Sequence, residues 1–229
     1  VTVVLCVTVL NRWEQFRQFL ASIAQLEPAD QFELRVSDWG STDVDLAAML
    51  ASTRYRRSIG RISGQPSGTF NRSFGLNVLA RNRLTPDQIV CFLDADIWVP
   101  PNFLQQLQLR VTPGTCWFPV CYSLYAGRPR EVWDDEPPLA PLHQYTPQRA
   151  NGWWREAGKG LCAFTAADWQ QLGGWDEQIG ATYGEEDGDL FRRAEALGLT
   201  VLRNRCQGLF HVWHAPSDEY RKRYEGIQS

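Results

Sequence analysis

Lysine is nearly missing from this chain of 229 residues: Lys159 and Lys222 stand against 21 arginines. That scarcity removes most chemistries that need a lysine nucleophile or Schiff base. The six cysteines include no C-x-x-C pair. Cys6 and Cys91 fall inside apolar runs, where a free thiol behaves as a small hydrophobe, so all six are read as reduced and nothing requires a bridge between Cys116 and Cys121. No run of about 18 uncharged apolar residues is present, and no leader with a cleavage site. These absences predict a chain with no integral membrane segment, cytoplasmic or peripheral to a membrane. A missing anchor or flanking domain would leave the same trace in a sequence that opens directly in a strand at Val1. The net charge of −3 and isoelectric point near 5.7 argue against a broad nucleic-acid or anionic-membrane surface.

With 44% apolar and 12% aromatic residues, the chain has enough material for a full core. Strand and helix signals alternate through residues 1–100, the pattern of a mostly parallel sheet with helices on its faces. Residues 1–10 and 32–36 read as strands. Trp13, Phe16, Leu20 and Ile23 mark a helix between them. A helix over 44–52, a weaker strand over 58–62 and a helix over 71–82 precede the apolar strand 89–93. Beyond Pro100 and Pro101 the pattern turns irregular. Residues 131–151 are expected to be a surface loop of the kind that often serves as a lid. Helices are predicted over 166–172, stopped at Gly173-Gly174, and over 186–197, stopped at Gly198. A last strand is placed at 199–202 and a charged helical tail from Ser217.

Chemistry concentrates where strands end. Asp94 and Asp96 follow the strand 89–93, and ligands of open α/β sheets bind beyond the carboxyl ends of strands. If the chain stays extended, both carboxylates face the same way and grip one hard cation. Fourteen aspartates produce three D-x-D patterns, but Asp43-Val44-Asp45 and Asp187-Gly188-Asp189 open helices, so position singles out 94 and 96. Asp38 ends the second strand, where its carboxylate can accept from a nucleobase imide or close an Asx turn with Ser41 or Thr42; the two uses are compatible. Glu185, Glu186 and Asp187 form an acidic run at a helix start. Helix-dipole compensation accounts for one or two of them, and a positioned general base accounts for the third. His211 and His214 are two of only three histidines. An i, i+3 pair suits one helical face, whereas in an extended chain the two point apart, so one of them is expected to reach a given metal. An imidazole beside an aspartate favours Mn²⁺ over Mg²⁺ or Ca²⁺. The stretch from Gly158 to Ala163 matches a dinucleotide fingerprint in letters only, since no strand precedes it, and it reads as a turn or as lining of the site. Of ten tryptophans, Trp133, Trp153 and Trp154 lie in irregular segments, where ligand contact is easiest.

Taken in order, these residues resemble the GT-A fold nucleotide-sugar glycosyltransferases. The likeness is to the family-two-like enzymes, with the C-terminal motif of the galactosyltransferases and polypeptide N-acetylgalactosaminyltransferases. The segment Cys6-Val7-Thr8-Val9-Leu10-Asn11-Arg12 is similar to the first strand and nucleotide-contacting turn. Asp38-Trp39-Gly40-Ser41-Thr42-Asp43 is similar to the D-x-G-S-x-D turn, and Phe70 to Asn77 to the helix beside the donor diphosphate. Phe92-Leu93-Asp94-Ala95-Asp96 matches the metal motif. Gly173-Gly174-Trp175-Asp176-Glu177 and the later Tyr183-Gly184-Glu185-Glu186-Asp187-Gly188-Asp189-Leu190 match an ordered pair of family elements, and Phe210-His211-Val212-Trp213-His214 the late metal-histidine segment.

The resemblance implies an α/β, Rossmann-like GT-A fold over residues 1–229, with a nucleotide-binding half (1–100) and an acceptor and catalytic half (101–229). It implies donor contacts from Thr8, Asn11, Arg12, Asp38, Arg72, Asn77, Asp94, Ala95 and Asp96. It also implies a Mn²⁺ or Mg²⁺ site from Asp94, Asp96, His211 and His214, with His211 favoured over His214, and acceptor or sugar contacts from Trp153, Trp154, Trp175 and Asp176. Asp187 becomes the catalytic base and Glu186 its neighbour on the acceptor. The expected reaction moves a hexose or N-acetylhexosamine from a UDP-sugar to a hydroxyl of a glycan, with inversion. A retaining transferase of the same fold and a non-catalytic carbohydrate-binding protein remain as rivals. A nucleotidyltransferase fits less well, because residues 1–11 hold neither glycine nor lysine.

Overall fold

Strand β1 (Val3–Val9) is buried along its whole length, as a strand must be when helices cover both faces of a parallel sheet. The computed structural model describes residues 2–51, 56–61, 70–81, 84–126, 152–179 and 185–215. After β1 come α1 (Trp13–Ile23), β2 (Phe32–Asp38), α2 (Leu46–Leu50), β3 (Arg56–Arg61), α3 (Arg72–Arg81), β4 (Ile89–Asp94) and β5 (Ile97–Trp98). The second half continues with α4 (Phe103–Arg110), β6 (Thr115–Trp117), β7 (Val120–Leu124), β8 (Gly152–Trp154), β9 (Cys162–Thr165), α5 (Ala166–Leu172), α6 (Glu186–Ala196), β10 (Thr200–Leu202) and β11 (Arg205–His211). The described strands form a seven-stranded sheet in the order β10-β6-β9-β4-β1-β2-β3 and a four-stranded sheet in the order β5-β11-β7-β8. The larger sheet is parallel except for β9, which runs antiparallel to β4 and β6.

Alternation along β1 divides the core between two faces. Val3, Leu5 and Val7 pack with Phe16, Phe19 and Ile23 of α1 and with Phe103, Leu104 and Leu107 of α4. Val4 and Cys6 pack with Leu76 and Leu79 of α3, Trp169 of α5, and Leu190 and Ala194 of α6. Register then fixes the carboxyl edge of the sheet: Thr8 lies opposite Asp94, and Val9 opposite Asp38.

Helix α3 is seated on that edge by two devices. A Cβ on Gly75 would fall 2.5 Å from Thr8 Oγ1 and 2.9 Å from both Ser37 Oγ and Trp39 Nε1, so only glycine lets the helix approach the sheet this closely. From below, the buried Arg35 of β2 pairs with Glu33 at 3.3 Å and donates from Nη1 to the Leu79 carbonyl at 2.9 Å.

Several expectations change. The second helix is shorter than 44–52, and Asp43, expected to start it, instead accepts the Trp13 N–H of α1 at 2.9 Å, leaving Asp45 to cap α2 through Ala48 N–H. The strand at 200–202 is not the last. β11 follows it and forms part of a second sheet whose short strands carried no strong period. All six cysteines are buried and free. No helix among the described residues is long and apolar enough to cross a membrane. The loop at 131–151, Trp133 and the tail from Ser217 lie outside the described residues.

Removing Glu33 by Glu33→Ala strips a buried guanidinium of its carboxylate. Urea denaturation should register a loss of about 3–5 kcal/mol, whereas a change below about 1 kcal/mol would mean that the pair does not hold α3 in place.

Candidate active site

The β5–β11 pairing brings two distant segments together at the end of β4. His211 lies opposite Ile97, and the Val212 N–H donates to the Asp96 carbonyl at 2.8 Å. β11 ends at His211, and the chain beyond it is no longer extended strand. Both imidazoles therefore reach one carboxylate: Nε2 of His214 lies 2.9 Å from Asp96 Oδ2, and Nε2 of His211 lies 3.7 Å from it. The expectation that the two rings would point apart fails because it extended the strand through 214. One ligand atom from each of Asp96, His211 and His214 lies within 4.8 Å of the others. Asp96 Oδ1 is buried without a hydrogen-bond partner among the described residues, and the trio offers one carboxylate oxygen and two imidazole nitrogens as ligand atoms. This set suits a first-row transition ion, Mn²⁺ among them, better than Mg²⁺ or Ca²⁺.

Supporting contacts orient the ligands. Ser123 Oγ of β7 lies 3.1 Å from His211 Nδ1, leaving Nε2 to face Asp96. His214 Nδ1 donates to the Ala215 carbonyl at 2.9 Å. Burial alone would raise the Asp96 carboxyl, but the two imidazoles and the Arg12 charge outweigh it and hold it below the ordinary value. Burial pulls both histidines down; His211 stays lowered, while the hydrogen bond and charge of Asp96 lift His214 above its usual value.

Asp94 has another partner. Its Oδ1 accepts from Arg72 Nε at 2.7 Å. The same guanidinium donates from Nη2 to the Gly160 carbonyl at 2.8 Å, lies 3.5 Å through Nη1 from Asp187 Oδ1, and sits 4.9 Å above the Trp175 ring. Asp94 and Asp96 are thus not joined in the structure, because the chain turns after β4. Asp187, in the first turn of α6, is pushed up to about 6, mainly by burial; Arg72 opposes the shift, and Glu186 and Asp94 add to it. Its side chain remains 27% exposed, enough to meet a bound hydroxyl. Glu186 beside it is buried.

The other sequence candidates separate by place. Asn11, at φ 48°, accepts the Thr42 N–H through Oδ1 at 2.8 Å and donates its own N–H to Ser41 Oγ at 3.0 Å. Asp38 Oδ1 closes an Asx turn by accepting from the N–H groups of Gly40 and Ser41. These contacts join the ends of β1 and β2 into one turn cluster, with Thr8 buried beneath it. Ala95 is buried in the turn after β4. The Asn77 amide is committed to the 174–177 loop, through Trp175 N–H, Trp175 C=O and Glu177. Trp175 itself is core, packed against Phe92 and Trp169 beneath Arg72, and offers no open ring face. Asp176 accepts the Gln178 and Ile179 N–H groups. Trp154 is half-buried against Tyr122, and Trp153 is exposed.

Two contributors lie outside the recognised family motifs. A Cβ on Gly160 would fall 3.0 and 3.2 Å from the two Asp187 oxygens and 3.3 Å from Arg72 Nη2. The glycine-rich stretch therefore lines the site, one of the two roles its sequence allowed. Ser123 had a fainter trace, the one serine in the otherwise largely apolar run of β7.

Residues 1–223 match the family profile described as chondroitin N-acetylgalactosaminyltransferase. The chain is 29% identical over 214 residues to chondroitin sulfate N-acetylgalactosaminyltransferase 1 of Homo sapiens, covering 91% of this chain and 40% of that relative. It therefore spans well under half of the relative's length. Among solved structures it resembles S. aureus TarS 1-349 in complex with UDP-GlcNAc, with TM-score 0.66 and 13% identity over 96% of this chain and 60% of that one. It also resembles the mannosyltransferase PcManGT of Pyrobaculum calidifontis in complex with GDP-Man and Mn²⁺, with TM-score 0.64 and 19% identity over 96% of this chain and 59% of that one. At such identities the likeness is one of fold, the GT-A arrangement.

A divalent ion can use His214 Nε2 only after that nitrogen loses its proton. Mn²⁺ affinity should therefore weaken as pH falls through the raised His214 value. Calorimetry in two buffers of different ionisation enthalpy should detect release of up to about one proton per ion below it. A pH-independent affinity without proton release would remove the trio as the ion's site.

Proposed function

The chain belongs to the chondroitin N-acetylgalactosaminyltransferase family, and from that premise we propose that it moves an N-acetylhexosamine, N-acetylgalactosamine first, from its UDP donor to a hydroxyl of a glycan acceptor. The observation that carries this reading is that a metal-competent trio and an acid with a raised pKa meet at one sheet edge, linked through β4 and Arg72. TarS binds UDP-GlcNAc and PcManGT binds GDP-Man with Mn²⁺ on the same fold. The names of the relatives supply the sugar and the chondroitin-type acceptor.

Each protein group has a defined task. The turn built by Asn11, Asp38 and Ser41 receives the nucleobase, with the Asp38 carboxylate accepting from a uracil imide. Asp96, His211 and His214 would hold the divalent ion, which when bound supplies positive charge against the departing diphosphate, a contribution of several kcal/mol. Asp187 takes the proton of the acceptor hydroxyl as its oxygen attacks the anomeric carbon in line, through an oxocarbenium-like state. One displacement inverts the anomeric centre. A base at about 6 is mostly ionised at neutral pH and still close enough to operating pH to accept a proton well. Arg72 keeps the carboxylate from turning away and helps hold it ionised.

Asp187→Asn should lower kcat for transfer from UDP-N-acetylgalactosamine by about 10² to 10⁴ while UDP affinity holds. In the wild type kept saturated with Mn²⁺ at every pH, kcat/KM should stay level above about 6 and fall roughly tenfold per pH unit below it, since only the ionised base works. Equal losses of donor affinity and turnover in the variant would make Asp187 structural.

A further inference from the structure

The register of the small sheet lines up Ile97, His211, Ser123 and Trp153 across β5, β11, β7 and β8. Residues paired on neighbouring strands project from the same face, and the contact of Ser123 Oγ with His211 Nδ1 agrees with this. The opposite face carries the buried cluster of Trp98, Tyr122, Leu124 and Phe210. On the His211 face stand two large rings with open surface: Trp153, 47% exposed, and Tyr125, 45% exposed. Their centroids lie 5.2 Å apart and their planes are inclined by 37°.

The position of this pair is fixed by backbone. A Cβ on Gly152 would fall 1.9 Å from the Ser123 carbonyl oxygen, so β8 lies against β7 at a distance that only glycine permits. With strands spaced roughly 4.8 Å apart, Trp153 stands about 10 Å from His211, two strands away. The ladder continues past β8, where the Arg155 N–H donates to the Cys121 carbonyl at 3.0 Å. The Arg155 charge bears on both His211 and Asp187. The rings and His211 therefore lie on one face of the small sheet.

We propose that Tyr125 and Trp153 form a stacking platform for a pyranose ring of the glycan acceptor, at a residue beyond the one that carries the reacting hydroxyl. The inference rests on the glycosyl-transfer reading above. A sugar ring offers a face of C–H groups and an edge of hydroxyls, and amphipathic aromatic rings suit a ligand that is apolar on one side and wet on the other. Two rings already in contact, one on β8 and one just past the end of β7, present such a face with less to order on binding.

The test compares acceptors of two lengths with the full chain, UDP-N-acetylgalactosamine and Mn²⁺. In Trp153→Ala, the ratio of kcat/KM for a chondroitin hexasaccharide to that for a disaccharide should fall about three- to tenfold, through KM. Trp153→Phe should retain most of the ratio. An unchanged ratio in Trp153→Ala overturns the platform. Hexasaccharide binding in the presence of UDP and Mn²⁺, followed by NMR, gives a readout independent of turnover: the Tyr125→Ala, Trp153→Ala double variant should bind several-fold more weakly. Equal affinity overturns the platform while leaving glycosyl transfer intact. A wild-type chain that neither binds nor transfers overturns both.

Discussion

One guanidinium gathers most of this site. Arg72 is nearly buried, and a buried cation is tolerated only when carboxylates and acceptors surround it. Asp94, Asp187 and the Gly160 carbonyl supply that surrounding, and the Trp175 ring lies beneath it. Four segments far apart in the chain therefore have to meet: the end of β4, the start of α6, the turn before β9 and the loop after α5. Displacing Arg72 would leave Asp94 and Asp187 as neighbouring acids with nothing between them. Its own position depends on α3, which Gly75 lets down onto the sheet and which Arg35 ties from below through Leu79. Fold and site are linked by this chain of close approaches.

Two aspartates separated by one residue acquire different partners for a local reason. β4 ends at Asp94 and the chain turns before β5, so Asp94 meets a guanidinium while Asp96 meets two imidazoles. The contrast extends to Asp187. Imidazole neighbours hold Asp96 below its ordinary value, whereas burial pushes Asp187 up to about 6. Acids driven apart in this way divide the labour of a reaction, one staying charged as a ligand and the other taking up a proton.

The parts of this arrangement legible in the sequence were those with a strong period or a long motif. β1, α1, β2, α3 and β4 announce themselves by apolar runs and helical spacing, and α5 and α6 by their glycine stops. The small sheet was hidden because β5, β7, β8 and β11 are short or irregularly patterned, and tertiary pairing rather than propensity makes them strands. His211 and His214 could be recognised as candidates, but their convergence depends on where β11 ends, which no local pattern marks. The partners of Asn77 and Trp175 were equally unreadable: a motif names residues near a ligand without separating those that touch it from those that brace the loop. In Trp175 the burial decides, and in Asn77 the three hydrogen bonds to the 174–177 loop do.

Donor and acceptor are brought together only if Asp96, His211 and His214 meet around one ion beside the Arg72–Asp187 pair. Crystals grown with UDP and Mn²⁺ and measured at the manganese absorption edge test this most directly. The strongest anomalous peak should lie among the Asp96 carboxylate and the two imidazoles. A peak held by other residues, with the trio unchanged, would contradict it.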